Sequence, residues 1–101
     1  MKITDRKQAF KIRVFHWADK LDVAVSRLSI RPMRNKWASC SSQGQLSFNA
    51  ELLGLDVDLW DYVIVHELLH FFVPNHGKLW KSLMRAHLGR YEIQESRLPR
   101  I

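Results

Sequence analysis

The stretch that decides the fold runs from Trp60 to His76 and reads WDYVIVHELLHFFVPNH. Its residues up to Val73 are apolar almost all round a helix, so we predict a helix buried in the domain centre. On that helix His66 and His70 lie one above the other, and Glu67 sits on the edge of the same face. Polar groups left unpaired there would be costly, and a bound cation removes that cost.

The spacing of these polar groups is typical of a zinc site with hydrolytic chemistry. Imidazoles at positions i and i+4 can ligate one tetrahedral Zn²⁺, while Glu67 reaches the water on the metal. His76 is the predicted third ligand, because the Pro-Asn pair before it can turn the chain back towards the metal. Glu92 is an alternative third ligand, and His76 could instead cap the next helix. The predicted ligand set is His66, His70 and His76.

The region before this helix predicts one helix and several short strands. Apolar residues at three- and four-residue spacing over residues 4–21 predict an amphipathic helix. Period-two patterning from Val23 to Met33 predicts a strand that ends near its proline. Residues 37–40 and 45–48 are two strand candidates around a Ser-Ser-Gln-Gly turn, and they predict a hairpin.

Helical patterns continue after the hairpin. Asp56 or Asp58 can cap a helix from about Leu59 to Val73, which the Pro-Asn pair ends. A second helix is predicted from Lys78 to Leu88, with a glycine beyond each end. Residues 90–101 show no clear period. We therefore predict an α+β domain with an N-terminal helix, a small sheet of three to four strands, the buried helix and a C-terminal helix.

Length and composition narrow the class of protein. A chain of 101 residues is long enough for one domain, predicted here to span residues 1–101. The single cysteine excludes both an internal disulfide and a zinc site built from four cysteines. No segment approaches the roughly 18 apolar residues needed to span a membrane. The first residues do not resemble a signal peptide, so a cytoplasmic location is expected.

The net charge of +6 is unevenly distributed. Residues 1–36 hold ten Lys/Arg against three Asp, residues 37–76 hold five acids and no Lys/Arg, and residues 77–101 hold six Lys/Arg against two Glu. Basic flanks around an acidic centre could follow nucleic acid, which is therefore a possible partner. A solvated surface that keeps a small protein soluble is the plainer interpretation.

Three motifs together resemble one known family. They are RNKWASCSSQGQLSFN at residues 34–49, YVIVHELLH at residues 62–70 and NHGKLW at residues 75–80. In these motifs the chain resembles the YgjP-like predicted metal-dependent hydrolases, relatives of the SprT and WLM metallopeptidases, over about residues 34–84. Ala38 stands where that family usually has glycine, so the shape of the pocket is expected to differ.

The resemblance implies a minimal zincin-like metallopeptidase core, with Zn²⁺ as the cofactor and peptides or proteins as substrates. It also implies that Glu67 is the general base and that three histidines hold the metal. Glu67 would take a proton from the water and hand it to the leaving amine. Asn75 or a residue of the second helix is the candidate that stabilises the oxyanion.

Substrate is expected to pair with an edge strand by main-chain hydrogen bonds. The predicted strand is Gln45–Asn49, although an ordinary inner strand is the alternative. Its candidate substrate-binding residues are Gln45, Leu46, Ser47, Phe48 and Asn49.

Two other functions remain open from the sequence. The first is a basic, nucleic-acid-associated SprT-like module that acts in DNA-linked proteolysis or binding. The second is a latent or structural metal domain, in which a tail such as Glu95–Ile101 covers the cleft. The oligomeric state is unknown at this stage.

The remaining notable side chains have plainer interpretations. His16 and His87 are expected at the surface or near a helix end. Cys40 is expected to be a small buried hydrophobe and not a nucleophile. Three tryptophans are assigned to the core: Trp37, Trp60 and Trp80.

Overall fold

One buried helix packs against a three-stranded sheet, and three further helices surround the pair. The computed structural model describes residues 3–98, with side chains from Asp5 onward. The elements in chain order are α1 Ile3–Leu21, β1 Arg27–Arg31, β2 Ala38–Cys40, β3 Gln45–Asn49, a 3₁₀ helix Ala50–Gly54, α2 Val57–Leu69, α3 Lys78–Leu88 and α4 Tyr91–Arg97. The predicted α+β class and the sheet of three to four strands are confirmed.

The strands lie in the order β1-β3-β2. β2 and β3 form the predicted hairpin, with Ala38 opposite Phe48, and β1 runs parallel to β3 on its other side. The prediction that Gln45–Asn49 is an edge strand is therefore wrong. Its main chain is hydrogen-bonded on both sides and has no groups left for a substrate peptide. Gly44 closes the hairpin turn at φ +83°, where a side chain would meet the carbonyl oxygen of Ala24 at 2.8 Å.

The first strand is shorter than predicted. The period-two pattern begins at Val23, but β1 begins at Arg27. The backbone N–H of Val23 donates to the carbonyl of Ala18 at 2.8 Å, and Asp22 adopts φ 58°. These residues close the C-terminus of α1, so they are not available to a strand.

α1 is attached to α2 by a ring cluster and an ion pair. Phe10 lies with its ring centroid 5.1 Å from those of both Phe48 and Trp60, in edge-to-face geometry. The guanidinium of Arg13 makes two hydrogen bonds of 2.6 Å to the carboxylate of Asp61, which also accepts from the indole N–H of Trp17. The N-terminal helix therefore fixes both the position and the rotation of α2.

α2 is almost entirely buried, as predicted, but it ends at Leu69 instead of Val73. The N–H of His70 donates to the carbonyl of Glu67, and the N–H of Phe71 donates to that of Leu68. These bonds span three residues instead of four, so the chain tightens and leaves the helix. No helix within residues 3–98 has the length and apolar character needed to cross a bilayer.

The C-terminal region contains a helix that was not predicted. α4 spans Tyr91–Arg97 in a segment where we saw no period. Tyr91 is buried against the core, and Arg97 donates to the carboxylates of both Asp56 and Asp58 at the start of α2. These contacts hold the short helix alongside α2. Residues 99–101 lie outside the described part of the chain.

Asn49 is a buried polar residue that shapes the loop before β2. Its side chain is 1% exposed. The amide nitrogen donates to the carbonyls of Met33 and Lys36 at 3.1 and 3.0 Å, and the amide oxygen accepts from the N–H of Glu51 at 3.0 Å. One side chain therefore joins the end of β3, the 3₁₀ helix and the loop at residues 33–36.

Candidate metal centre

Three imidazole rings converge at the C-terminal end of α2. The Nε2 atom of His76 lies 2.9 Å from Nε2 of His66 and 3.0 Å from Nε2 of His70. The helix places the first two histidines one turn apart, and the turn between α2 and α3 carries the third back to them. The ring of Trp80 lies 4.5 Å from that of His76 and 5.1 Å from that of His66, measured between centroids.

The close contacts among these nitrogens cannot all be hydrogen bonds. Nδ1 of His70 lies 3.1 Å from the carbonyl oxygen of Val73, so this nitrogen carries the proton and Nε2 presents a lone pair. Nε2 of His76 can either donate one proton to a single neighbour or accept one. It therefore cannot make hydrogen bonds with both His66 and His70 when Nε2 of His70 carries no proton. A cation removes this conflict. Tetrahedral zinc would separate its nitrogens by about 3.3 Å, close to the distances seen here.

The surroundings of His66 and His76 favour their neutral form. Burial, followed by the charges of His70 and His76, lowers the pKa of His66 to about 4. Burial and the charge of His70 also lower the pKa of His76. Neutral imidazole is the form that binds metals. The cluster is therefore ready to accept a cation at neutral pH.

Glu67 faces β2, where it meets Cys40. Burial raises the pKa of Glu67, while His70, a hydrogen bond with Cys40 and the charge of Lys36 act in the opposite direction. The pKa of Cys40 is raised by burial and by the charge of Glu67. The thiol is half-buried and not fully buried as predicted. Its raised pKa agrees with the prediction that it is not an activated nucleophile.

A cleft of about 710 Å³ runs alongside His66 and Glu67. One wall comes from the loop before β2 and from β2 itself, and the other wall comes from α4. The floor is formed by α2. The lining includes Lys36, Trp37, Ala38, Tyr62, Val63, His66, Glu67, Glu92 and Glu95.

Tyr62 connects the floor of the cleft to α4. Its hydroxyl donates to Oε2 of Glu95 at 2.9 Å, and its ring stacks on His66 with centroids 5.8 Å apart. Burial raises the pKa of Tyr62, with Glu95 adding to the effect, so the phenol stays protonated. We did not predict a role for Tyr62. The signal in the sequence is its position four residues before His66, on the same helix face.

Glu92 and Asn75, the two other candidates for roles at the site, both lie outside the group of three histidines. Glu92 lies outside the histidine cluster, and its carboxylate accepts from Arg85 instead. Asn75 is exposed, and its Oδ1 accepts from the N–H of Gly77 at 3.0 Å. The role of Asn75 at the oxyanion stays a prediction.

The other histidines and tryptophans differ in how well the predictions describe them. His16 is exposed, as expected. His87 is half-buried, with its ring 6.2 Å from that of Trp17. Trp60 and Trp80 are buried in the core, as predicted, whereas Trp37 is half-buried and lines the cleft.

This fold and its histidine cluster match a known group of proteins. The sequence model of the YgjP-like metallopeptidase domain matches residues 3–100. The chain belongs to the YgjP-like metallopeptidase family.

This YgjP-like chain is similar to proteins of Methanocaldococcus jannaschii and Pyrococcus abyssi. An uncharacterized protein of Methanocaldococcus jannaschii is 32% identical over 103 residues, which cover 97% of this chain and 94% of that protein. The metallopeptidase zymogen jannalysin, also from M. jannaschii, matches with a TM-score of 0.63 and 27% identity, over 94% of this chain and 89% of that structure. The zymogen abylysin of Pyrococcus abyssi shares the fold, with a TM-score of 0.72 and 23% identity, over 87% and 90% of the two chains.

Family membership assigns the reaction class. The YgjP-like chain is a metallopeptidase, so it uses a divalent metal and acts on peptides or proteins. Among residues 3–98, the group of side chains placed to hold such an ion consists of His66, His70 and His76. The predicted family, fold and enzyme class are confirmed.

Proposed function

We propose that the chain is a zinc metallopeptidase in which His66, His70 and His76 hold Zn²⁺ and Glu67 is the general base. The observation that carries this proposal is the meeting of three Nε2 atoms whose contacts a cation would satisfy. Three nitrogen ligands with no fourth protein ligand are typical of catalytic zinc, because one position must stay open for the reaction. Residues 1–101 would form one catalytic domain.

The chemistry divides between the metal and Glu67. When bound, Zn²⁺ supplies a Lewis acid that polarises the peptide carbonyl and makes water more acidic. Glu67 accepts the proton of the attacking water and then gives it to the amine that leaves.

β2 is our candidate for pairing with the substrate. The carbonyl of Trp37 and the N–H of Ser41 are hydrogen-bonded to β3. Since main-chain groups alternate along an antiparallel strand, those of Ala38 and Cys40 point to the outer edge. This edge borders the cleft beside Glu67. An extended peptide could therefore add to the sheet at β2, not at β3 as the sequence led us to expect.

The proposed function is tested by metal content and hydrolysis together. Wild type, Glu67→Gln and the three histidine-to-alanine variants are purified, checked for folding by circular dichroism and analysed by mass spectrometry for zinc. We expect about one zinc per chain in wild type and in Glu67→Gln, and a sharp loss in the histidine variants. Casein hydrolysis should require both zinc and Glu67. Zinc-loaded wild type and Glu67→Gln with equal hydrolysis would refute the role of Glu67.

The edge of β2 is tested with two proline variants. Ala38→Pro removes an N–H on the outer edge, so we expect a KM about tenfold higher with little change in kcat. Ser39→Pro is the matched control, because it removes an N–H that pairs with β3 and should mainly destabilise the fold. An unchanged KM in folded Ala38→Pro protein would contradict pairing at β2.

Latency is the second candidate function, favoured by the position of α4. Jannalysin and abylysin were both solved as zymogens. In this chain Glu95, Ser96 and Leu98 line the cleft, and the rest of the tail predicted to cover it lies outside the described residues. Proteolysis that appears only after deletion of residues 99–101 would support latency. Deletion with no change in activity would count against it.

The nucleic-acid alternative has less support. None of the comparisons points to a nucleic-acid partner, and several arginines are used within the fold. Arg6 donates to the carbonyls of Leu53 and Leu55, and Arg13 is paired with Asp61. An SprT-like role and a cytoplasmic location stay predictions, which salt-dependent DNA binding and cell fractionation would test.

A further inference from the structure

We infer that the cleft selects peptides that carry a lysine or arginine side chain, with Glu95 as the acceptor of the positive charge. This inference rests on the proposed function, because it names the substrate class of the same site.

The ion pairs of α2 and α4 set Glu95 apart. Asp58 is paired with Arg97, Asp61 with Arg13, and Glu92 with Arg85. Within residues 3–98, the remaining acidic side chains of these two helices, Glu67 and Glu95, have no ion pair. Both of them line the cleft. Since Glu67 is the proposed general base, Glu95 is the carboxylate left for a charged substrate.

Glu95 is held in place on the wall of the cleft. Its Oε2 accepts the hydrogen bond from Tyr62, whose side chain is only 7% exposed. Its Oε1 has no hydrogen-bond partner among residues 3–98. A buried tyrosine therefore anchors one oxygen, while the other stays free to accept from a guanidinium or an ammonium. Anchoring of this kind reduces the conformational entropy lost when a ligand binds.

The cleft that Glu95 lines also carries apolar groups for the stem of a long basic side chain. Trp37 and Ala38, both half-buried, belong to the wall opposite α4, and half-buried Leu98 follows α4. The methylenes of lysine or arginine pack on such surfaces while their charged ends stay near water. Lys36 lies on the opposite wall and would repel the same cation. The two walls therefore direct a positive charge towards α4.

Peptide binding is measured separately from hydrolysis, so that this inference and the proposed function can fail independently. Zinc-loaded Glu67→Gln protein is titrated into fluorescein-labelled decapeptides, and binding is followed by anisotropy. The peptides share an alanine-serine sequence and carry one lysine, norleucine or glutamate at each position in turn. At one position or more, we expect lysine to bind about fivefold more tightly than norleucine, and glutamate to bind more weakly than both.

Variants at Glu95 identify the group responsible. Glu95→Gln keeps an acceptor for Tyr62 but removes the charge, so the preference for lysine should disappear. Glu95→Lys should reverse it in favour of glutamate. Asp58→Asn is the control, since it removes one negative charge at a residue that is already paired with Arg97 and does not line the cleft. The preference for lysine should survive in this control. In the parent Glu67→Gln protein the preference should shrink in 1 M NaCl.

Several results would overturn the inference. They are equal affinity for lysine and norleucine peptides at every position, a lysine preference that survives Glu95→Gln, or no binding of any peptide. Hydrolysis by wild type tests only the proposed function. An active enzyme that shows no preference for basic peptides would support the metal centre and refute the role of Glu95.

Discussion

Two regions supply the candidate metal ligands in contrasting ways. His66 lies in α2 and His70 directly follows its last residue, next to Val65, Leu68 and Leu69, which are all buried. His76 comes from an exposed turn, and residues 74–79 are exposed throughout. The core therefore positions the first two histidines on its own. The third depends on a few local contacts, so the two regions should respond differently to substitution.

The largest expected effect is on zinc affinity when ligands are removed. One ligand contributes about 3 kcal/mol, so His76→Ala should weaken zinc binding roughly a hundredfold and leave the preformed pair on α2. His66→Ala or His70→Ala should weaken it further, because the exposed turn cannot compensate for the missing helix ligand. Competition with a fluorescent chelator measures all three. Wild-type affinity in His76→Ala would remove that residue from the ligand set.

Trp80 is the main contact that connects the exposed turn to the core. It is 3% exposed and lies against the rings of both His76 and His66. Trp80→Ala should lower the free energy of unfolding by about 3–5 kcal/mol and weaken zinc binding as well.

Trp80→Phe is the control that keeps an aromatic ring at this position. The indole N–H of Trp80 has no hydrogen-bond partner among the described residues, so Trp80→Phe loses no hydrogen bond and should have the smaller effect. Urea unfolding and zinc titration measure both variants. Unchanged zinc affinity in Trp80→Ala would show that the turn positions His76 without this contact.

His66, which lies on the buried helix, should make the metal-free protein sensitive to acid. The pKa of His66 is about 4 in the folded chain and about 6.5 in the unfolded chain, so the unfolded state binds more protons between these two pH values. Stability contributed by neutral His66 is complete above pH 6.5 and is lost as the pH falls towards 4, by up to about 3 kcal/mol.

Urea unfolding of zinc-free protein at pH 7.5 and pH 5 tests this dependence. His66→Gln should reduce it strongly. His76→Gln should reduce it less, because its pKa is lowered in the same direction but the side chain is exposed. An equal dependence on pH in wild type and His66→Gln would assign the effect to other groups.

The smallest effect is expected within the turn itself. A Cβ on Gly77 would lie 2.8 Å from Oδ1 of Asn75, which accepts the N–H of residue 77. Gly77→Ala should displace that side chain and lower zinc affinity about fivefold, the value of one hydrogen bond, with little change in global stability. Asn75→Ala should have a similar effect. The two changes together should weaken binding no more than either alone, and additive losses would contradict the shared contact.

The same contrast explains how much the sequence could predict. α2 and the hairpin follow from local patterns, a run of apolar residues and a glycine turn, so both could be placed from the sequence. The approach of His66 to His70 follows from helix periodicity. The return of His76 could be proposed because a Pro-Asn pair precedes it. Each of these inferences uses residues that are close together along the chain.

Features that depend on distant residues were missed. β1 pairs with β3 across 18 residues of sequence, since Arg27 lies opposite Gln45, and this placed the predicted edge strand in the centre of the sheet. α4 has seven residues, too few for a helix that is stable alone, and it relies on tertiary contacts. The meeting of Cys40 with Glu67 requires β2 to pack against α2. No local pattern contains this information.

The amide of Asn49 offers a route to redesign. It holds the loop at residues 33–36 by main-chain carbonyls and not by side chains. The side chains of Arg34 and Lys36, which are exposed, are therefore free to change without loss of that support, whereas Asn35 adopts φ 58° and should be kept or replaced by glycine. Because Lys36 borders the cleft, positions 34 and 36 could be diversified as a library to retarget the enzyme while the metal centre stays intact.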